Sequence, residues 1–509
     1  MEPTPDFIII GAGSSGLQCA LEVASSHDSD TYILLLEQSS SIGGSLTPHF
    51  LEETQTFLDS SPQLSSSVFK PFISELTSRH GITPPQTLKL SPLFRYHLPN
   101  GYVDIPSSLH DFEFLLCSLC PSQEKQIKST LNRLISFGHH YSDYFLSDSF
   151  LLSRVLTFPF KGLSRTDFFL HFHSSLESFV STINSPLIVA LINSFCFLIG
   201  TSPSKISVIY FGYYLINLFK GSEALINTSD FLINMSSRIR ELGVVVKLDT
   251  KVDGLITEKP GIFHRERVVG VETNKGDYHC TKGVIDTAGF IASNPIDRKS
   301  SNQSDTSSLR SSFYSLHIVV NNSHVRSINE TLGEQYLHFL TATKLTPTKD
   351  QQVCAENAAL VECTAIWEGQ RVGNVESCPV IITNHLATGK SNVVNAFFLV
   401  SGEASATLSP QVSSSLLFER ISHCFPAFRQ QNAVFHMFHQ TPSDTAQRTG
   451  CSWGSMPGHS FPFNDPFPRR PPCPFPNILI TGSGVDANLS LFSNLEKSFK
   501  DTEAFQRSL

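Results

Sequence analysis

The sequence predicts an α/β protein, and three observations predict it. An apolar run, Phe7 to Ile10, stops in the glycine-rich hexapeptide Gly11-Ala12-Gly13-Ser14-Ser15-Gly16 and is followed by a helical pattern and a second apolar run. A long Phe- and Leu-rich stretch of helical spacing fills the region from about Phe69 to Phe219. Beyond it, several short segments alternate like strands, and Asn477-Ile478-Leu479-Ile480-Thr481-Gly482 repeats the strand-into-glycine pattern of the N-terminus.

The chain has 509 residues, 40% of them hydrophobic and 16% charged, with 40 Phe. This is enough apolar surface for two or three packed domains, so a globally disordered chain is excluded. The formal charge of −8 gives no field to gather phosphates, and no local basic patch stands out, which sets nucleic-acid binding aside. The opening MEPTPDFIIIGAG lacks the basic and long apolar regions of a signal peptide, so export by that route is not expected. The most apolar stretches, Pro186 to Ile199 and Ile206 to Phe219, fall short of the ~20 residues a spanning helix needs. Eleven cysteines of scattered spacing read as free thiols of a reducing compartment. A cytoplasmic protein is expected.

Phe7 to Ile10 reads as a buried strand, the glycines as a tight turn, and Leu17, Ala20, Leu21 and Ala24 as one face of a helix. Tyr32 to Leu36 supplies the second strand of a βαβ unit. In Gly11-x-Gly13-x-x-Gly16 the first glycine permits the turn, the second lets backbone approach a pyrophosphate, and the third lets helix pack on strand. The helix N-terminus at Ser14 and Ser15 then turns its free N–H groups toward the phosphates. Glu37 ends the second strand, twenty-one residues past Gly16, where a carboxylate accepts from ribose hydroxyls and repels a 2′-phosphate. FAD or NAD is favoured over NADP.

Further along, Ser107 to Leu119 and Gln123 to Phe137 read as helices of an inserted region. Ala224 to Leu242 is amphipathic, and Val244 to Leu248, Val252 to Ile256 and Val268 to Glu272 read as a meander. Tyr314 to Val320, Val380 to Thr383 and Val393 to Val400 read as strands of one further sheet, after a low-complexity loop from Ser300 to Ser312. Cys117-x-x-Cys120 lies in a helical pattern without a βαβ context and reads as a packed pair. The pairs His139/His140, His171/His173 and His436/His439 lack clustered acidic or cysteine partners, so no metal site is expected.

Six residues past Glu37, Gly43-Gly44-Ser45 resembles the segment that follows the acidic residue in the FAD-binding amine oxidase flavoprotein superfamily, where Arg usually stands in place of Ser45. The resemblance extends along nearly the whole chain and points to the phytoene desaturase and retinol saturase branch. Phe57-Leu58-Asp59-Ser60-Ser61-Pro62 is similar to its Phe-Asp-x-Gly-Pro segment, and Tyr96 to Pro106 to its first substrate-domain segment. Gly200 to Lys205 resembles a Gly-x-Pro-Pro-Ser turn, and Phe219 to Leu225 a Pro-x-Gly-Gly-x-x-Ala-Leu loop beside which Lys220 stands. The resemblance implies that Val252 meets the adenine through backbone atoms. It also implies that Gly482 and Asp486 sit under the flavin, although the family places its acidic residue two positions nearer the glycine. Either Asp486 takes that role, or the flavin end has diverged and activity is lost.

The expected fold is thus a Rossmann-like, glutathione-reductase-like FAD-binding domain with a mixed-sheet substrate domain and a helical insertion. Residues 1–68, 220–298 and 450–509 would form the FAD-binding parts, 69–219 the mainly helical substrate- and membrane-facing region, and 299–449 the substrate sheet. The cofactor set is Gly11, Gly13, Ser14, Ser15, Gly16, Glu37, Gly43, Gly44, Ser45, Val252, Gly482 and Asp486; no catalytic residue is named. The implied activity is FAD-dependent oxidoreduction at a C–C bond of a long apolar polyene, carotenoid- or retinoid-like, with peripheral contact at a membrane. Two alternatives stand beside it. One is a non-catalytic relative, like the Rab GDP-dissociation inhibitors, that binds a prenylated protein or lipid; the other is a flavin amine oxidase.

Overall fold

The computed structural model describes residues 3–26, 30–47, 49–51, 56–58, 64–98, 101–142, 163–199, 201, 203–226, 228–259, 266–289, 311–333, 335–340, 380–388, 391–401, 409–449, 475–481 and 491–508. Phe7–Ile10 (β1), Ser14–Ser26 (α1) and Ile33–Leu36 (β2) form the expected strand, helix and strand. A five-stranded parallel sheet is built around them in the order Val245–Lys247, β2, β1, Gly283–Asp286, Ile478–Ile480. β1 and β2 are apolar at every position because both faces are covered. On one face Phe7, Ile9 and Leu35 pack against α1 and the helices Thr228–Glu241 and Leu491–Ser508. On the other, Ile8, Ile10, Leu34 and Leu36 meet Val252, Val268 and Val271 of a three-stranded antiparallel sheet.

The second layer is a seven-stranded mixed sheet, ordered Val434–Gln440, Ser311–Val320, Val393–Ser401, Val380–Asn384, Leu337–Leu340, Phe94–Leu98, Gly101–Ile105. Neighbours run antiparallel except Leu337–Leu340 beside Phe94–Leu98. Tyr314, Leu316 and Ile318 face the helices Val325–Leu332 and Pro410–Cys424. The alternate residues Phe313, Phe339, Ile381 and Phe397 face the helical core of Leu109–Leu119, Glu124–Tyr141, Pro186–Ile199 and Val208–Phe219. Ser108 caps the first of these helices by accepting from the Asp111 N–H at 3.1 Å. Glu124–Tyr141 and Val208–Phe219 cross at glycine: a β-carbon on Gly138 would lie 2.4 Å from the Gly212 carbonyl oxygen, and one on Gly212 2.2 Å from that of Leu134.

Two details differ from the sequence reading. Ala224 to Ile226 do not open a helix; Ser222–Ile226 is a buried strand paired antiparallel with Leu64–Ser66 and Gln86–Lys89. A short apolar run fits a buried strand and a buried helix turn equally, and Gly221 at φ 108° decides by breaking the preceding helix. Val245–Lys247 joins the parallel sheet beside β2 instead of forming a meander with the two strands that follow. Among the described residues, no helix is long and apolar enough to cross a membrane.

The neighbouring strands Leu337–Leu340 and Phe94–Leu98 carry a titratable pair. His338 donates from Nε2 to the Gln335 carbonyl at 3.0 Å, so its Nδ1 accepts from His97 Nε2 at 3.1 Å. Burial, followed by the neighbouring His97, pushes His338 down to about 3; burial and then Arg95 push His97 down to about 4. Both stay neutral in the fold while the unfolded chain takes up protons below the ordinary histidine value of about 6.5. Stability is therefore complete above pH 6.5 and is lost as pH falls through 4 toward 3, by about 2 kcal/mol at pH 5 for His338. Melting curves at pH 7 and 5 check this: His338→Gln keeps a donor and an acceptor without titrating and should show a smaller drop. An equal drop in both proteins would assign the acid sensitivity elsewhere.

Candidate functional site

The site lies where β1 and β2 end. Gly11 turns the chain at φ 94°, a conformation costly for any residue with a β-carbon, and its N–H donates to the Leu36 carbonyl at 2.8 Å. Gly16, in the first turn of α1, rests on that bend: a β-carbon there would lie 1.8 Å from the Gly11 carbonyl oxygen. Between them the Gly13 backbone pairs with Gly43 as a parallel bridge, and the Gly43 N–H donates to the Ala12 carbonyl at 2.9 Å. A β-carbon on Gly44 would come within 3.3 Å of the Gly13 α-carbon. Gly13, Gly43 and Gly44 thus make a floor without side chains beneath Ser14 and Ser15, where α1 begins with N–H groups that have no partner in the helix. Ser45 follows in the short turn Gly44–Leu46.

Glu37 stands at the other end of the floor and is only 6% exposed. Its backbone is fixed on both sides, its N–H donating to the Lys247 carbonyl at 3.0 Å and its carbonyl accepting from the Thr250 N–H at 2.7 Å. The carboxylate accepts from the Ala12 N–H at 2.7 Å and from the Ser39 N–H at 2.9 Å. Each oxygen has a further lone pair for a ribose hydroxyl. Val252 opens its strand two residues after Thr250, with its side chain in the core against Ile8 and Ile10. The structure brings together Gly11, Gly13, Ser14, Ser15, Gly16, Glu37, Gly43, Gly44 and Ser45, with Val252 next to the Glu37 end. Gly482 and Asp486 lie outside the described residues.

The sequence reading missed the segment that follows Gly283–Asp286. Thr287 donates its hydroxyl to the Ile10 carbonyl at 2.8 Å, with the Gly11 carbonyl at 3.1 Å, locking the turn from below. The fully buried Asp286 accepts the Ala288 N–H at 3.0 Å, and its carbonyl takes the Thr481 N–H at 3.0 Å. A signal was present: Val284-Ile285 is another apolar run that leads, through Asp286-Thr287-Ala288, to a glycine, and the structure makes it the strand Gly283–Asp286 with Gly289 at φ 72°.

The floor fits a dinucleotide. It offers close backbone approach, helix N–H groups and a carboxylate whose oxygens each keep a further lone pair, the groups that pyrophosphate and ribose require. Other sequence candidates behave as ordinary structure. Cys117 and Cys120 are free thiols at the end of one helix, and Lys220, exposed, ends another. Among the described residues no group of three or more His, Cys, Asp or Glu is placed to hold a metal ion.

The sequence matches no protein-family model and no curated protein. The fold is shared with solved oxidases over almost the full length of both chains. Cyclohexylamine oxidase from Brevibacterium oxydans IH-35A is 14% identical, with a TM-score of 0.60 and 99% of each chain covered. Putrescine oxidase, solved bound to putrescine, is 13% identical, with a TM-score of 0.62 and 99% of each chain covered. An oxidoreductase from Methanosarcina mazei is 14% identical, with a TM-score of 0.58, 96% of this chain and 98% of that one covered. The chain has the mixed α/β fold of these oxidoreductases.

Proposed function

We propose that this chain is an FAD-dependent oxidoreductase with a Rossmann-like, glutathione-reductase-like cofactor domain, acting on a C–C bond of a long apolar polyene. The observation that carries the cofactor assignment is the side-chain-free floor of Gly13, Gly43 and Gly44 between the N-terminus of α1 and Glu37. Gly13, Ser14, Ser15, Gly43 and Gly44 would hold the pyrophosphate, Glu37 the adenosine ribose, and the backbone at Val252 the adenine; Ser45 would lie at the flavin side. When bound, the isoalloxazine supplies a hydride acceptor or donor. The chain's part is to align the ligand and exclude water, and the apolar face of the seven-stranded sheet with the facing helices suits that task. Peripheral contact with a membrane would deliver such a ligand.

A second reading, a flavin amine oxidase, is supported by the fold shared with putrescine oxidase and cyclohexylamine oxidase. Purified protein incubated with excess FAD and then freed of unbound FAD by gel filtration should stay yellow with a flavin spectrum, and in FAD at a hundredfold excess over the dissociation constant it should gain about 2.7 kcal/mol of stability. Absence of both rejects the cofactor assignment. Glu37→Ala should weaken FAD by roughly 1.5–3 kcal/mol and also lower the melting temperature, because the Ala12 N–H loses its partner. Unchanged affinity in that titration would leave Glu37 a structural strand end. Turnover of polyenes but not amines separates the two readings.

A further inference from the structure

One row of the seven-stranded sheet breaks the apolar face proposed above as the substrate side. By register His317 lies opposite Asn395, Asn395 opposite Thr383, and Thr383 opposite Leu337. Alternation puts these residues on the face of Phe313, Ile381, Phe397 and Phe339, whose side chains belong to the helical core cluster. His317, Asn395 and Thr383 are 2%, 1% and 1% exposed. His317 Nδ1 lies 2.8 Å from Asn395 Oδ1, and its Nε2 3.1 Å from Ser315 Oγ. Thr383 Oγ1, at the other end of the row, is buried and has no hydrogen-bond partner among the described residues. A buried hydroxyl that gives up its water without gaining a partner is unfavourable, so the fold carries it at a loss unless something else meets it.

The chemistry of that something is restricted. The seven strands contain a single acidic residue, Asp104, and it is held on the opposite face by Arg95 through bonds of 2.7 and 2.9 Å. An ammonium group beside Thr383 would be buried without a counter-charge among these strands. A hydrocarbon would leave Thr383 Oγ1 as it is. A neutral hydroxyl can both donate and accept, which suits a threonine hydroxyl flanked by a carboxamide.

Resting on the substrate side assigned under the proposed function, we propose that Thr383, backed by Asn395 and His317, is a specificity-determining residue that holds one neutral hydroxyl group on an otherwise apolar ligand. Three probes of the same chain length test it: farnesol, farnesene and farnesylamine, each titrated into protein already loaded with FAD and followed by perturbation of the flavin spectrum. Wild type should bind farnesol at least tenfold tighter than either analogue. Thr383→Val, nearly isosteric, should lose that preference by weakening farnesol alone, and Thr383→Ser should keep it. Equal affinities in wild type, tighter binding of farnesylamine, or a preference that survives Thr383→Val each overturns the inference. A normal flavin spectrum that stays with the variant after gel filtration shows that it has folded. Failure of the wild type to show any flavin spectrum would instead strike the underlying FAD reading, so the two failures are told apart.

Discussion

Alanine at position 13 is expected to leave the fold intact and weaken FAD binding about a hundredfold, whereas alanine at position 16 is expected to cost the fold itself. At Gly13 an added β-carbon meets nothing nearer than the Gly44 α-carbon at 4.0 Å, so the free protein accommodates it. The methyl group would stand where the pyrophosphate must approach, and a hundredfold loss corresponds to about 2.7 kcal/mol. At Gly16 the β-carbon would overlap the Gly11 carbonyl oxygen at 1.8 Å and crowd Thr287 Oγ1 at 2.9 Å. The first of these is backbone and cannot rotate away, so the strand, turn and helix must part, at about 3 kcal/mol or more. Urea denaturation and FAD titration of both variants check the contrast. A Gly13→Ala protein that binds FAD normally, or a Gly16→Ala protein as stable as wild type, would refute this account of the turn.

The second large effect is expected far from the cofactor, where helices Glu124–Tyr141 and Val208–Phe219 meet backbone to backbone. Gly138→Ala and Gly212→Ala should each destabilise by about 1–3 kcal/mol, because each methyl group would press on a carbonyl of the other helix. The double variant should cost clearly less than the sum, since the first methyl group already pushes the helices apart. Strict additivity in denaturation would show that the two glycines do not share one contact. Neither variant should change FAD affinity per folded molecule.

The parts legible in the sequence were those fixed by local covalent constraints. Gly11 and Gly16 announce themselves because no other residue survives the bend, and Glu37 follows from the length of a helix and two strands. The run before Gly289 was legible, but the partners of Thr287 were not: it acts on Ile10 and Gly11 across 277 and 276 residues, and no local pattern tells a threonine which turn it will brace. The same limit hid the parallel pairing of Leu337–Leu340 with Phe94–Leu98, and the choice of Gly212 as the neighbour of Gly138. Ala224 to Ile226 failed for another reason, since a run that short has no period to measure.

The parallel sheet also sets an order of events during synthesis. Its strands come from three distant stretches of chain, and Ile478–Ile480 is made long after β1 and β2. At ~5–20 residues per second, the N-terminal unit leaves the ribosome on the order of a minute before the strand beside Gly283–Asp286 exists. Helix Leu491–Ser508, whose Thr502 bonds Cys19 of α1 at 3.2 Å, follows later still. The glycine turn therefore waits, with one sheet edge and one helix face uncovered, and nascent chains are exposed to misassociation throughout that interval. Flavin supply during expression should accordingly improve yield only when it acts on released chains.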